Sequence, residues 1–274
     1  MNETATIMVT VKTYPSPSDR YGETVCVAGV RLDGEPRWVR LYPMKFRLVD
    51  YDQQFKKYEI IEIPVQPRGT YDPRPESVRP DQQGLRSVRL VPSTKNWAER
   101  RQLMKPLIGA TTTCALVRAN DAADYSQSVP SLGLVRLADI RVQVVDGSPW
   151  NERQLAKVVK AARPDLFNQD GLRELEAAPL RVKLSYRCDD AGCPGHNASV
   201  TDWEAGQAGR KFIAEYGVEG AKQKLLERYE TNLGDDRDAH VYVGNQHLYR
   251  STFSVLGVWF PKKEPDLYES DLFG

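Results

Sequence analysis

The stretch Thr24–Tyr42, TVCVAGVRLDGEPRWVRLY, decides how the first half of the chain is read. Thr24–Leu32 and Arg37–Tyr42 are rich in β-branched and aromatic residues, which suit a pleated, packed surface. Between them Asp33-Gly34 accepts the positive φ of a tight turn, so the two runs pair as a hairpin. Ala28 and Gly29 are small enough for another backbone to come close. The strand period of two puts Val39 and Leu41 on the core side and Trp38, Arg40 and Tyr42 on the other. That second side offers rings that stack on bases and guanidinium groups that meet phosphates, as a single-stranded nucleic-acid platform does.

Working outward, Ile7–Val11 and Tyr58–Val65 add strands, and the loops YPSPSDRYG and QPRGTYDPRPESVRP contain prolines that exclude helix and central strand. Ser93 is placed to cap a helix carrying Trp97, Leu103, Met104 and Leu107, ended by Pro106 and Gly109. Thr113–Val117 and Val135–Val145 read as strands, with Cys26 and Cys114 as small buried hydrophobes. Ser148-Pro149 opens a helix with Leu155, Val158, Val159 and Ala162 on one face. Leu180–Tyr186 is a strand, and Asp202–Tyr216 and Val218–Asn232 are helices separated at Gly217. His240–Val243 and Thr252–Phe260 form a closing hairpin around the polar loop GNQHLYRS.

The expected fold class is therefore α+β. An N-terminal, largely antiparallel β-barrel-like domain, with an OB-like barrel among the candidates, occupies residues 1–147. It packs with a C-terminal domain of helices on a small sheet, 148–262, and an acidic tail follows at 263–274.

Composition narrows the function classes. The chain has 274 residues, 41% of them hydrophobic, enough for a sizeable core. Lys+Arg 38 against Asp+Glu 37 excludes a polycation but permits a local basic groove. No apolar run is long enough to span a membrane and MNETATIMVTVK is not a secretory signal, so a cytoplasmic protein with no membrane partner is expected. Four cysteines in this length do not make a disulfide scaffold. Neither a phosphate-binding G-x-x-x-x-G-K-[ST] loop nor a G-x-S-x-G elbow is present.

Chemistry concentrates in CDDAGCPGH. Cys188, Cys193 and His196 have thiol and imidazole ligands in a glycine-proline turn that lets them converge, as zinc requires. His240 or His247, in the closing hairpin, would supply the fourth ligand, and the expected cofactor is one structural zinc. Directly after come Asp202 and Glu204. Thr201 with Glu204 reads as a capping box, while the two carboxylates could instead serve as general base beside a metal. Lys56 and Lys57, with Lys45, Arg47, Arg68, Arg74 and Arg79 nearby, extend the basic character of the first hairpin.

Several stretches together, VKTYPSPS, ETVCVAGVR, WVRLYPMKFR, QFKKYEIIEI, DPRPESVRP, DWEAG and FSVLGVWFP, resemble an uncharacterised prokaryotic family of hypothetical proteins found in mobile or defence-type gene neighbourhoods. The resemblance spans most of the chain. It implies a nucleic-acid-linked role by association and carries over no catalytic residues. The expected function is a nucleic-acid-binding protein of prokaryotic genome maintenance or defence, DNA favoured, acting through Trp38, Arg40 and Tyr42 with Lys56 and Lys57. The alternatives are a metal-dependent hydrolase or nuclease using Cys188, Cys193, His196 and His240 with Asp202 or Glu204 as base, and a non-catalytic adaptor docking a protein partner through the tail.

Overall fold

The structure is a computed structural model that describes residues 3–45, 54–68, 72–163 and 174–264. The expected hairpin forms: β3 (Gly22–Arg31) and β4 (Arg37–Met44) pair antiparallel with Val27 opposite Leu41 and Arg31 opposite Arg37, and Gly34 in the turn has φ 116°. β1 (Glu3–Lys12) pairs β3, and β5 (Glu59–Pro67) pairs β1. β6 (Ser77–Pro80) lies parallel to β4 and antiparallel to β5, closing a barrel of order β1-β3-β4-β6-β5-β1. β2 (Ser16–Ser18) and β7 (Arg86–Leu90) extend its edges.

Ile7, Val9, Val25, Val27, Val39, Leu41, Ile61 and Ile63 fill the barrel. Met8, Val11, Ala28, Val30, Tyr58 and Ile60 point out of it and are equally buried, against Leu134, Tyr242, Leu256 and Trp259 of the second half. Strands covered on both faces need apolar residues at consecutive positions, which is why IMVTV and TVCVAGV do not alternate. Gly29 is obligatory there, since a Cβ would sit 2.3 Å from the Met8 carbonyl oxygen.

The second sheet, ordered β10-β9-β8-β11-β12, comprises β8 (Leu132–Asp146), β9 (Leu180–Cys188), β10 (His196–Ser199), β11 (His240–Gln246) and β12 (Tyr249–Trp259). β8 is its central strand. Its register shifts between Ala138 and Arg141, and Asp139 adopts φ 51°, a bulge that lets one end pair β11 and the other β9 and curls the sheet. The second unit therefore begins upstream of β8, not at the Gly147 boundary expected from composition.

Among the described residues four α-helices complete the fold: α1 (Thr94–Met104), α2 (Thr113–Asp121), α3 (Glu152–Ala162) and α4 (Trp203–Asn232). α3 is capped by Asn151 with Gln154 in a full capping box, three residues later than Ser148-Pro149 suggested. α4 breaks at Gly217 (φ 71°, ψ 177°), as expected. Thr113–Val117, expected as a strand, is the first turn and a half of α2. Its threonines carry β propensity, but the Thr112 hydroxyl accepts from the Ala115 N–H and starts a helix instead. No helix among the described residues is long and apolar enough to cross a membrane. Residues 265–274 of the acidic tail lie outside the described residues, as does Arg47.

Candidate functional site

Two features stand out: a cysteine–histidine cluster, and a cleft between the barrel and the second sheet. The cluster begins with the turn between β9 and β10. The Cys188 carbonyl accepts from the Asp190 N–H (2.8 Å) and the Asp190 carbonyl from the Cys193 N–H (2.9 Å), folding the segment back on itself. Gly195, at φ 94°, then aims His196 into the loop. The backbone N–H groups of Cys188 and Gly195 both donate to the Cys193 sulfur, at 3.4 Å each.

The fourth member is Cys114. Its sulfur, like those of Cys188 and Cys193, lies 3.4 Å from His196 Nε2; the Cys188 and Cys193 sulfurs are 3.6 Å apart, and all four ligand atoms lie within 4.8 Å of one another. Tetrahedral zinc, with bonds of about 2.3 Å to sulfur and about 2.0 Å to nitrogen, requires ligand separations of about 3.6–3.8 Å, so the set fits. The four residues could hold a metal ion. Cys114 sits in the first turn of α2, where the N-terminal end of the helix favours a thiolate. Asp190 ties that helix to the turn, accepting from Arg118 (2.7 Å) and Thr112 (3.5 Å). Burial, with Cys188 and Cys193 adjacent, pushes the Cys114 thiol up to about 12. Burial also lowers His196, which keeps the imidazole neutral as a ligand must be.

His240, expected as the fourth ligand, stands elsewhere. It is fully buried at the start of β11, its Nδ1 donating to the Asp238 carbonyl at 3.1 Å. His247 meets Tyr125 and Asp72 instead. Cys114 was missed because it was assigned to a strand core. The four ligand atoms would complete the tetrahedron of a bound ion by themselves, and no carboxylate belongs to the set.

Asp202 and Glu204 also have different work from that expected of a metal-site base. Asp202, not Thr201, is the N-cap of α4: its Oδ1 accepts from the Glu204 N–H at 3.0 Å. Its Oδ2 accepts from Lys57 Nζ at 2.6 Å, and Glu204 stands 3.7 Å from the same ammonium group. Burial alone would lower Lys57, but the two carboxylates outweigh it and raise it. Lys57, expected as a nucleic-acid contact, is thus a buried tie between the barrel and α4, while Lys56 beside it is exposed. Lys12, buried nearby, donates to the Phe55 carbonyl at 3.2 Å, and burial lowers it to about 8.

The first hairpin divides in the same way. Trp38 packs edge-on against Tyr242 at 6.1 Å in the inter-unit core and is not a stacking platform. Arg40 is buried, donating to Cys26 Sγ (3.1 Å) and to the Ser131 carbonyl and hydroxyl (3.2 and 3.1 Å). Arg40 and Tyr42 nevertheless share a wall of the cleft, a cavity of about 690 Å³ bounded by β3, β4, β9, the start of α4 and the tip of the β11–β12 hairpin. Among the described residues, Arg40, Arg68, Arg74 and Arg181 line it against one carboxylate, that of Asp202, which Lys57 already holds. Arg68 lies over the Tyr42 ring at 5.1 Å, and Arg74 is held by Asp72 at 2.7 Å. Tyr14 and Trp150 add two more rings. Gly206 makes room on α4 for the Tyr14 ring, since a Cβ there would come within 2.5 Å of it. Arg181 has no ion-pair partner among the described residues.

Fold and site together define a two-unit α+β chain: a closed five-stranded barrel joined to a curled sheet that carries a Cys3His cluster. Residues 109–273 match the family described as a domain of unknown function, DUF8757, and residues 3–106 match a second one, DUF8758. The chain belongs to the DUF8757 family, with a DUF8758 domain preceding it, and the seam between the matches falls just before α2. No curated protein matches the chain.

Proposed function

We propose that the chain binds nucleic acid, DNA in the first instance, in the cleft between its two units, and that the Cys3His cluster holds a structural zinc that fixes α2 to the second sheet. The observation that carries this reading is the lining of one cavity, among the described residues, by four guanidinium groups and three aromatic rings against a single, already paired carboxylate. Arg181 can meet a phosphate bidentately, Arg40 and Arg74 add positive charge from a wall that protein partners hold in place, and rings stack on bases whatever the sequence. The barrel adds support by analogy: its strand order places β3 and β4 where OB-type barrels present strands 2 and 3 to oligonucleotides, and those strands carry Cys26, Arg40 and Tyr42 into the cleft. The genome-maintenance or defence setting implied by the resemblance agrees with such a role. Asp202, engaged by Lys57 and the start of α4, is not free to act as a base, which disfavours the hydrolase alternative.

The test is anisotropy of labelled single-stranded DNA, duplex DNA and RNA across a salt series. Affinity should fall steeply with salt as phosphate contacts release counterions. Tyr42→Ala should lose about 1–3 kcal/mol of binding where a base stacks on the ring. Arg181→Ala should weaken binding to every sequence and reduce the salt slope by about one. Undetectable or salt-insensitive binding refutes the reading.

A further inference from the structure

The turn between β11 and β12 is short: Gln246 pairs with Tyr249, leaving only His247 and Leu248 at the tip. Two-residue turns favour Asn, Asp and Gly. Here Leu248 is 76% exposed and Tyr249 64%, and Tyr125 stands beside them with its hydroxyl bonded to His247 Nε2.

This apolar tip is held from below by buried side chains. Arg250 donates to the carbonyls of Asp124 (3.2 Å), Tyr125 (2.8 Å) and Gln127 (2.9 Å). The Asn245 amide donates to the Arg250 carbonyl (2.6 Å) and to Asn120 Oδ1 (3.1 Å). Arg74, which lines the cleft, donates to the Asn245 carbonyl and side-chain oxygen (3.0 and 3.2 Å). Two arginines and an asparagine are thus immobilised under a loop whose own side chains reach into solvent. What they fix is the position of Leu248 and Tyr249 relative to the cleft, and Gln246, His247 and Leu248 belong to the cleft's rim.

We propose that the Leu248–Tyr249 tip is a wedge that enters duplex DNA beside an extruded nucleotide, and that the cleft at its foot receives that nucleotide. The inference rests on the cleft being the nucleic-acid site and names its substrate: a duplex with an unpaired or easily unpaired position. Proteins that kink duplexes insert apolar side chains between base steps, and those that act on a single base take it out of the stack into a pocket. A cavity of about 690 Å³ is the size of a small-molecule site and suits one nucleotide better than a strand running through. The occupant is a nucleic acid and not an apolar peptide, because the wall behind the wedge carries arginines and, among the described residues, one lining carboxylate, which is already paired.

The test uses the full chain and duplexes of about 20 base pairs with a central 2-aminopurine, fully paired or mismatched. Anisotropy reports binding, 2-aminopurine fluorescence reports unstacking, and energy transfer between end labels reports kinking. Wild type should bind the mismatched duplex several-fold more tightly than the paired one, raise 2-aminopurine fluorescence and shorten the end-to-end distance. Leu248→Ser combined with Tyr249→Ser, both at the surface, should keep the melting temperature while losing the preference for the mismatched duplex, the fluorescence and the kink. Bound wild type that leaves both signals at their free-duplex values overturns the wedge, as does a tip variant that matches wild type in both. Tighter binding of single strands or RNA overturns the wedge and spares the cleft; failure to bind any of them overturns both.

Discussion

The Lys57–Asp202 pair allows the sharpest energetic test of how the two units are joined. Side-chain exposures of 7% and 4% make it a buried pair, bonded at 2.6 Å. Removing one partner of such a pair strands the other charge and costs about 3–5 kcal/mol. Asp202→Asn isolates this term, because asparagine caps a helix as well as aspartate does. Glu204, 3.7 Å from Lys57 Nζ but half-exposed, compensates part of the loss, so the lower end, about 3 kcal/mol, is expected. Asp202→Ala also removes the cap, adding about 1 kcal/mol. At about 2–4 °C per kcal/mol for a large domain, Asp202→Asn should lower Tm by about 6–12 °C. Lys57→Met in the Asp202→Asn background removes the stranded charge and should recover most of that fall. Lys57 is raised, so the stability it contributes is complete below its unfolded pKa of about 10.4 and is lost only as pH rises through the higher folded value; the experiment at pH 7 sees all of it. Calorimetry of the two single variants and the double variant decides the matter. A single-variant shift under about 2 °C, or a double variant no more stable than Asp202→Asn, would refute the reasoning.

Two further predictions concern groups on either side of this joint. The purified chain should carry one zinc, measured by mass spectrometry of the metal; Cys114→Ala should abolish it and His240→Ala should leave it in place, whereas the reverse pattern would restore the histidine expected from sequence. Lys12 gives an opposite pH signature to Lys57. Its folded value, about 8, lies below the unfolded one, so the unfolded chain binds the extra proton and stability should rise as pH climbs from about 8 towards 10. Lys12→Met, packed against Phe55 and Trp203, should flatten that rise and raise Tm at pH 7, as pH-stepped calorimetry would show; an unchanged slope would refute it.

What the sequence disclosed was what is local. The Asp33-Gly34 hairpin, the break at Gly217 and the turn bearing Cys188, Cys193 and His196 each depend on neighbours a few residues apart, so turn chemistry and spacing suffice to read them. Cys114 meets His196 across 82 residues, and Lys57 meets Asp202 across 145, and no spacing rule reaches that far. The first hairpin shows why the remainder was illegible. Alternation correctly separated Val39 and Leu41 from Trp38, Arg40 and Tyr42, but a period gives the side of a strand and not what covers that side. Here the second sheet covers it: Tyr242 takes Trp38, Ser131 takes Arg40, and only towards the end of β4 away from the turn does the cover lift to leave a cavity for Tyr42. The clue lay in the neighbouring strand, where Cys26, Ala28 and Val30 carry no charge on the face that packs with Trp38 and Arg40. An outward face shared by a basic-aromatic strand and an apolar one is half-buried by construction. Its guanidinium groups then line a seam, and they do not spread over a surface. The same argument separates the two kinds of arginine in the cleft: Arg40 and Arg74 are fixed by protein partners and shape the wall, while Arg181, without an acidic partner among the described residues, is left with charge to offer a ligand.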